Sequence, residues 1–217
     1  RGAGLIIELL EAAAQQAQVR LQLHQQPWKR CIHEMRQGST DGIFIAVWQP
    51  DRDAWGRFPG RDPRLGTAAD PARALWPVQY VVIGRADGRL SWDGQRFSGV
   101  RHGVAAPLGY VVSQRLQALG VLASESMAPP KALGMVAAGR LDGYVLEREI
   151  ALDLLDQLQL QEQLVLLPKP LLETEWHLPF SHPFYAAHSD VAERFWRALG
   201  EQREKHDDEL RRRYLNR

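Results

Sequence analysis

The stretch "PWKRCIHEMRQGSTDGIFIAVW", residues 27–48, sets the pattern of the chain. Pro27 suits the opening of a helix, and Trp28, Cys31, Ile32 and Met35 recur at helical spacing as its buried stripe. Gly38 fits the left-handed residue that closes a helix. Asp41-Gly42 then turns the chain into the apolar run "DGIFIAVW" (41–48), which predicts a strand covered on both faces. The same grammar returns about a hundred residues later. "GSTDGIFIA" (38–46) and "GRLDGYVLE" (139–147) each follow a helix, stop it at Gly, turn at Asp-Gly and enter an apolar strand. One such junction is a common turn between helix and strand. Two of them, with a strand near the middle of the chain between them, argue for two similar α/β lobes.

The rest of the chain fills in this plan. Apolar residues at Leu5, Ile6, Leu9, Leu10, Ala13 and Ala17 predict a first helix. The alternating "VRLQLH" (19–24) predicts a strand. Residues 49–75 are rich in Pro, Gly and Arg and read as irregular. "VQYVVIGR" (78–85) reads as a strand, and "ADGRLSWDG" (86–94) as turns. A short strand and a helix opening near Pro107 follow, then a helix from Pro129 to Gly139 and the strand 142–147. "IALDLLDQLQL" reads as helix, "QLVLLP" and "WHLPFS" (176–181) as strands, and 189 to about 212 as a closing amphipathic helix. Alternating helices and strands with short loops predict mostly parallel sheets, where ligands sit beyond the carboxyl ends of the strands.

Composition narrows the classes. The chain has 217 residues, 45% of them hydrophobic, enough for a sizeable core. Its 27 basic and 26 acidic residues balance to +1 with no long run of either sign, so the sequence shows no nucleic-acid footprint. No apolar run is long enough to cross a bilayer. The single cysteine, Cys31, excludes an internal disulfide and a Cys-rich metal site. "DRDAWGRFPGRD" (51–62) places carboxylates at calcium-loop offsets, but Trp55 stands where a ligand is needed and Asp62 where a bidentate Glu belongs. His177, His182 and His188 lack metal-site spacing. No catalytic or phosphate-binding fingerprint is present. Neither cofactor nor metal is expected, and the chain reads as a non-enzyme.

"GLIIELLEAAA", "PWKRCIHEMRQGSTDG", "QPDR", "FSGVRHGVA", "VAAGRLDGYVLE" and "AERFWRAL", in that order, resemble the type II periplasmic solute-binding proteins. Their nearest branch serves polar amino-acid ABC transporters. The resemblance implies two α/β lobes joined by two crossover strands, with helices on both faces of each sheet. It assigns 1–82 to lobe 1, 84–177 to lobe 2 and 180–217 to a return into lobe 1. Members begin with a strand before the first helix, so a preceding segment is expected. The implied function is capture of a small polar solute, amino-acid-like or related, for an ABC permease in the membrane. It implies a periplasmic monomer whose signal peptide has been removed. The same fold also serves extracytoplasmic sensor domains and, more rarely, dehydratase-like enzymes, for which Glu147 is the candidate acid or base.

Site residues carry over by position. Amino-acid binders place an Arg that grips the ligand carboxylate after a strand; here the segment is Gln49-Pro50-Asp51-Arg52, with Gln49 in place of the usual Thr. An Arg suits this role because its planar fork pairs with both oxygens. Glu147 stands where the family has the Asp that holds the ligand ammonium, and "AAPLGY" (105–110) replaces a Gly-Thr turn. The candidate ligand-binding residues are Arg52, Glu147, Trp48, Gln49 and Tyr110. Three of them have a structural alternative: an ion pair for Arg52, a helix cap for Glu147, core packing for Trp48. Trp28 and Cys31 read as core, and Asp41 and Asp142 as turn residues.

Overall fold

The computed structural model describes residues 4–124 and 127–214. The elements are α1 (Leu5–Ala17), α2 (Trp28–Gln37), β1 (Ala46–Val47), β2 (Trp76–Arg85), β3 (Ser91–Trp92), β4 (Phe97–Ser98), β5 (Val104–Ala105), α3 (Val111–Ala118), α4 (Pro129–Ala137), β6 (Gly143–Glu147), α5 (Arg148–Gln157), β7 (Leu164–Leu166), β8 (Leu172–His177), α6 (His182–Ala187) and α7 (Ser189–Tyr214). The chain divides into two compact units, one of residues 1–77 and 175–217, the other of 78–174. Strands β2 and β8 each begin in one unit and end in the other.

In the first unit, α1 buries Leu5, Leu9, Leu10, Ala13, Ala14 and Ala17 and packs along α7. Arg194 of α7 donates to the carbonyl of Ala17 at the end of α1. The stripe predicted for α2 is one-sided as expected: Met35 is fully buried, and Trp28, Cys31 and Ile32 pack against a core of Ile43, Ala46, Trp55, Phe58 and Ala69. Strand β1 pairs antiparallel with β8, Ala46 opposite His177 and Val47 opposite Trp176. It is far shorter than the eight-residue run predicted. Ile45 sits at φ 66, a left-handed conformation that a β-branched side chain rarely adopts, and this breaks the extended path just before Ala46.

The predicted strand 19–24 does not form. Those residues pair with no strand among the described residues, and Leu23 is 44% exposed. An alternating pattern becomes a strand only where a neighbour pairs with it and one face is covered; here none pairs with it, and on its apolar face Val19 and Leu21 are half-buried while Leu23 is exposed. The strand placed at 176–181 lies four residues earlier, as β8. Beyond it Phe180 makes isolated bridges to Gly42 and Arg57, and Ser181 caps α6 by accepting from Phe184 N.

The second unit is built around β2, whose residues Val82 and Ile83 are wholly buried. β6 pairs with it antiparallel from Tyr80↔Glu147 to Gly84↔Gly143, and β7 antiparallel from Ile83↔Leu166 to Arg85↔Leu164. β5 pairs parallel with β6. The sheets are therefore mixed, not mostly parallel. Strands β6 and β7, linked by α5, do run in the same direction, as the helix–strand alternation requires. β2 runs between them the other way, and nothing in local periodicity reports that interleaving. Val81, Ile83, Leu133, Val136, Tyr144 and Leu155 form the centre of this unit's core. The stretch read as turns at 86–94 contains half of a hairpin, β3 with β4, closed at Asp93, whose carboxylate accepts from the N–H groups of Gln95 and Arg96.

The twin junctions have matching geometry, one in each unit. Gly38 has φ 69 and Gly139 φ 70. Gly38 N donates to Met35 O and Ser39 N to Glu34 O; Gly139 N donates to Val136 O and Arg140 N to Met135 O. Both are Schellman closures, in which the left-handed Gly satisfies the last carbonyls of its helix.

The two aspartates then diverge. Asp41 offers its backbone carbonyl to Ser181 N. Asp142 offers its carboxylate: Oδ2 accepts from the N–H groups of Arg101, His102 and Gly103 at 2.6, 2.5 and 2.8 Å. It thereby fixes the loop leading into β5. Removing the acceptor strands three backbone donors, so Asp142→Ala should cost about 2 kcal/mol. Asp142→Asn keeps an acceptor oxygen and should recover about half of that. Urea melts of the three proteins, with unchanged slopes, check the ordering; equal midpoints would contradict the role.

Candidate functional site

The candidate residues fall in both units: Trp48, Gln49 and Arg52 in the first, Tyr110 and Glu147 in the second.

In the first unit, the chain leaves β1 at Val47 and enters a short 3-10 turn, Pro50–Ala54, with Pro50 at its start and Gln49 as the extended residue before it. Gln49 O accepts from Arg52 N at 2.9 Å, and Arg52 O from Trp55 N and Gly56 N. This turn carries Arg52 back toward the strand end. Its Nη1 donates to Val47 O at 2.9 Å, and its guanidinium lies over the Trp28 ring, 5.7 Å from the centroid. Arg52 is only 7% exposed. A buried guanidinium bound to a backbone carbonyl and lying over an aromatic face is preoriented, which lowers the cost of ordering it for a polar partner. The same contacts make Arg52 part of the local packing.

Trp48 is fixed by its neighbours. Its Nε1 donates to Asp53 Oδ1 at 3.0 Å, and the Arg61 guanidinium stacks on its ring at 5.1 Å. Arg61 pairs with Asp53 Oδ2, Nη2 at 2.8 Å and Nε at 2.9 Å, and its Nη1 donates to the carbonyls of Asp62 and Thr67. His182 Nε2 lies 2.8 Å from Asp53 O. This knot of Trp48, Asp53 and Arg61 holds the irregular 49–67 segment in shape. The sequence reading missed Asp53 and Arg61, because an irregular segment has no period to reveal which side chains meet. The knot also accounts for the calcium-like spacing: Asp53 serves Arg61 and Trp48, and Asp62 serves Arg64 at 3.1 Å. Among the described residues no group of three or more His, Cys, Asp or Glu side chains is placed to hold a metal.

In the second unit, Glu147 ends β6 and is 8% exposed. Its Oε2 accepts from Glu149 N at 3.1 Å and Ile150 N at 3.0 Å, capping α5. Burial raises its pKa, the two N–H groups work against that, and Glu149 and Asp153 add to the rise. The capping alternative is thus realised in the structure. Tyr110, 39% exposed, is the residue before α3, in a loop where Pro107 O accepts from Tyr110 N and from Ser113 Oγ. Gly109, at φ 81, supplies the left-handed step of that loop. Glu147 ends β6 and Tyr110 follows β5, so both belong to the carboxyl edge of that parallel pair. Leu108 and Ile150, 61% and 45% exposed, belong to the same edge.

Cys31 is half-buried; burial, then Glu34, raises its thiol pKa. No helix among the described residues is long and apolar enough to cross a membrane.

No family model matches the chain, and no curated protein matches it. Its fold is widely shared among solved structures. A histidine kinase sensor domain with similarity to periplasmic binding proteins superposes with a TM-score of 0.76 at 17% identity, over 98% of this chain and 86% of that one. The GluR0 ligand-binding core from Nostoc punctiforme, solved with L-glutamate, gives 0.74 at 13% identity, over 99% and 92%. The substrate-binding protein of an amino acid ABC transporter gives 0.71 at 12% identity, over 99% and 88%. At these identities the likeness speaks for architecture, and it extends over nearly the whole of each chain. The chain has the type II periplasmic binding protein fold.

Proposed function

We propose that this chain is an extracytoplasmic solute-binding protein, non-catalytic, that captures a small polar solute bearing a carboxylate and hands it to an ABC permease. The observation that carries the reading is Arg52: it stands in the turn directly after β1, preoriented by Val47 O and Trp28, in a fold whose solved examples include amino-acid-binding domains. Gln49 and Trp48 adjoin it in the first unit, and Tyr110 and Glu147 are the candidate ligand-binding residues within the second. Glu147 acts through the helix it caps and through whichever carboxylate oxygen the cap leaves to a ligand ammonium. A periplasmic location and a monomeric state belong to the same reading. The sensor-domain alternative is supported by the likeness to the histidine kinase sensor domain; it shares the capture step and differs in the partner that responds.

Calorimetric titration of wild type, Arg52→Ala and Arg52→Lys tests the carboxylate contact. A charge-assisted hydrogen bond contributes about 1.5–3 kcal/mol, so Arg52→Ala should weaken binding roughly tenfold to a hundredfold. Arg52→Lys should recover part of the loss, because an ammonium lacks the two-pronged fork. The sequence alone predicts little change in stability. Burial and the bond to Val47 O revise that: Arg52→Ala should also lower stability by about 1–2 kcal/mol, measured separately by urea melt. Unchanged affinity in a folded Arg52→Ala protein would remove Arg52 from the site.

A further inference from the structure

Although basic and acidic residues are evenly mixed along the sequence, folding of the second unit gathers arginines at one end. That end is where β2 finishes and β5 and β6 begin. Asp142 binds the backbone of 101–103, which brings Arg101 and His102 beside the Arg140 loop. A Cβ placed on Gly139 would stand 2.9 Å from Arg85 Nη1, and one placed on Gly99 would collide with the carbonyl of Arg89. Arg85, Arg89, Arg101, His102 and Arg140 therefore occupy one continuous surface. All but the half-buried Arg85 are exposed. Among the described residues, Arg89, Arg101 and Arg140 form no ion pair. Three acids lie near them. Asp87 is bound to Arg85 at 2.7 Å, the carboxylate of Asp142 is turned onto three N–H groups, and Glu162 lies on the β7 side of the sheet, before Gln163, whose carbonyl accepts from Ala86 N.

We propose that this end of the second unit docks on an anionic lipid bilayer. Its chemistry favours a bilayer over a protein partner. Interfaces between proteins are anchored by buried aromatic or apolar side chains; here none of the large exposed apolar residues falls within 85–103 or 139–143, and the two on flanking segments, Leu122 beside Val104 and Val165 opposite Gly84, are separate side chains only 37% and 38% exposed. A cluster of arginines on long stems, with no apolar centre, fits a diffuse layer of phosphate headgroups instead. Glu147 is the last residue of β6, and Gly143 its first. Contact through the Gly143 end therefore leaves the Glu147 and Tyr110 edge turned away from the bilayer. The docking stands independently of which solute the protein takes.

Co-sedimentation of the whole chain with phosphatidylcholine vesicles, with and without phosphatidylglycerol, tests it. Binding should require phosphatidylglycerol and fall as salt is raised. Each arginine near an anionic surface is worth roughly fivefold in partitioning, so Arg89→Gln, Arg101→Gln and Arg140→Gln together should weaken it about a hundredfold. A control with the same charge change elsewhere, Arg36→Gln, Arg115→Gln and Arg197→Gln, should weaken it far less. Melting curves establish that both triple variants are folded. Absence of binding to phosphatidylglycerol vesicles, or an equal loss in both triple variants, would overturn the proposal; in the second case net charge alone would be at work.

Discussion

Between pH 7 and pH 4 the first unit should lose about 3 kcal/mol of stability through one side chain, His177. This residue sits on β8 opposite Ala46 and is 2% exposed. Phe58 meets its ring edge to face at 6.1 Å, and its Nδ1 is buried with no hydrogen-bond partner among the described residues. Charging an imidazole there removes a cation from water without a compensating anion in contact. Burial, and then the Arg203 guanidinium, hold its pKa at about 4, with Asp70 pulling weakly the other way. An unfolded histidine titrates near 6.5. The folded value is depressed, so the neutral form is the one folding favours. Its contribution is fully present above about pH 6.5 and is lost as pH falls toward 4. The shift of about 2.5 units, at roughly 1.4 kcal/mol each, sets the size. Carboxylates also titrate in this window, so the test is a difference. The pH 7-to-4 loss measured by urea denaturation should shrink by about 3 kcal/mol in His177→Leu relative to wild type. Parallel losses in the two proteins would contradict it.

The second large effect runs against helix propensity. Gly200 lies inside α7, where replacing Gly with Ala ordinarily gains about 1 kcal/mol. Here Gly200 faces the short 3-10 turn Pro71–Arg73 so closely that an added Cβ would overlap the carbonyl oxygen of Ala72. That turn cannot retreat easily. Arg203, one helical turn on, donates to the carbonyls of Pro71, Ala72 and Ala74, and Asp70 caps the turn by accepting from Ala72 N. Gly200→Ala should therefore destabilise by about 3 kcal/mol, at the upper end for overpacking. The corresponding fall in melting temperature is roughly 6–12 °C for a domain of this size. Gly134, in α4 with nothing near its Cβ position, is the matched control, and Gly134→Ala should leave stability unchanged or raise it. A stabilised Gly200→Ala protein would mean that α7 and the 71–74 backbone are less tightly apposed than this.

These two sites illustrate what the sequence made legible and what it did not. Helices α1, α2 and α7 were readable because their apolar residues follow a helical period, α4 from the prolines that open it and the Gly beyond it, and the two Gly closures because only a left-handed residue ends a helix that way. Strand β2 was readable as a continuous apolar run. Its direction relative to β6 and β7 was not, since antiparallel interleaving is a property of the whole sheet. The segment 19–24 shows the converse failure: it alternates like a strand, but among the described residues no strand pairs with it. At the candidate site, Arg52 and Glu147 were found by position in a resemblance. Their surroundings came only from the fold. That Arg52 is bound to Val47 O, that Glu147 caps α5, and that Asp53 and Arg61 clamp Trp48 all depend on residues that no local pattern brings together. The basic end of the second unit is similar: its arginines are spread over more than fifty positions of a chain with balanced charge.

The central claim is that the chain binds a small carboxylate-bearing solute. The most direct measurement is the melting temperature of the purified protein against a panel of amino acids, small mono- and dicarboxylic acids, and neutral sugars as controls. A genuine solute at about a hundredfold over its Kd adds about 2.7 kcal/mol to the folded state, which for a chain of this length corresponds to roughly 5–10 °C. The account predicts a saturable shift of that size from at least one carboxylate, and none from its amide or ester. A panel in which only neutral sugars raise the melting temperature, or in which the amide works as well as the acid, would contradict it.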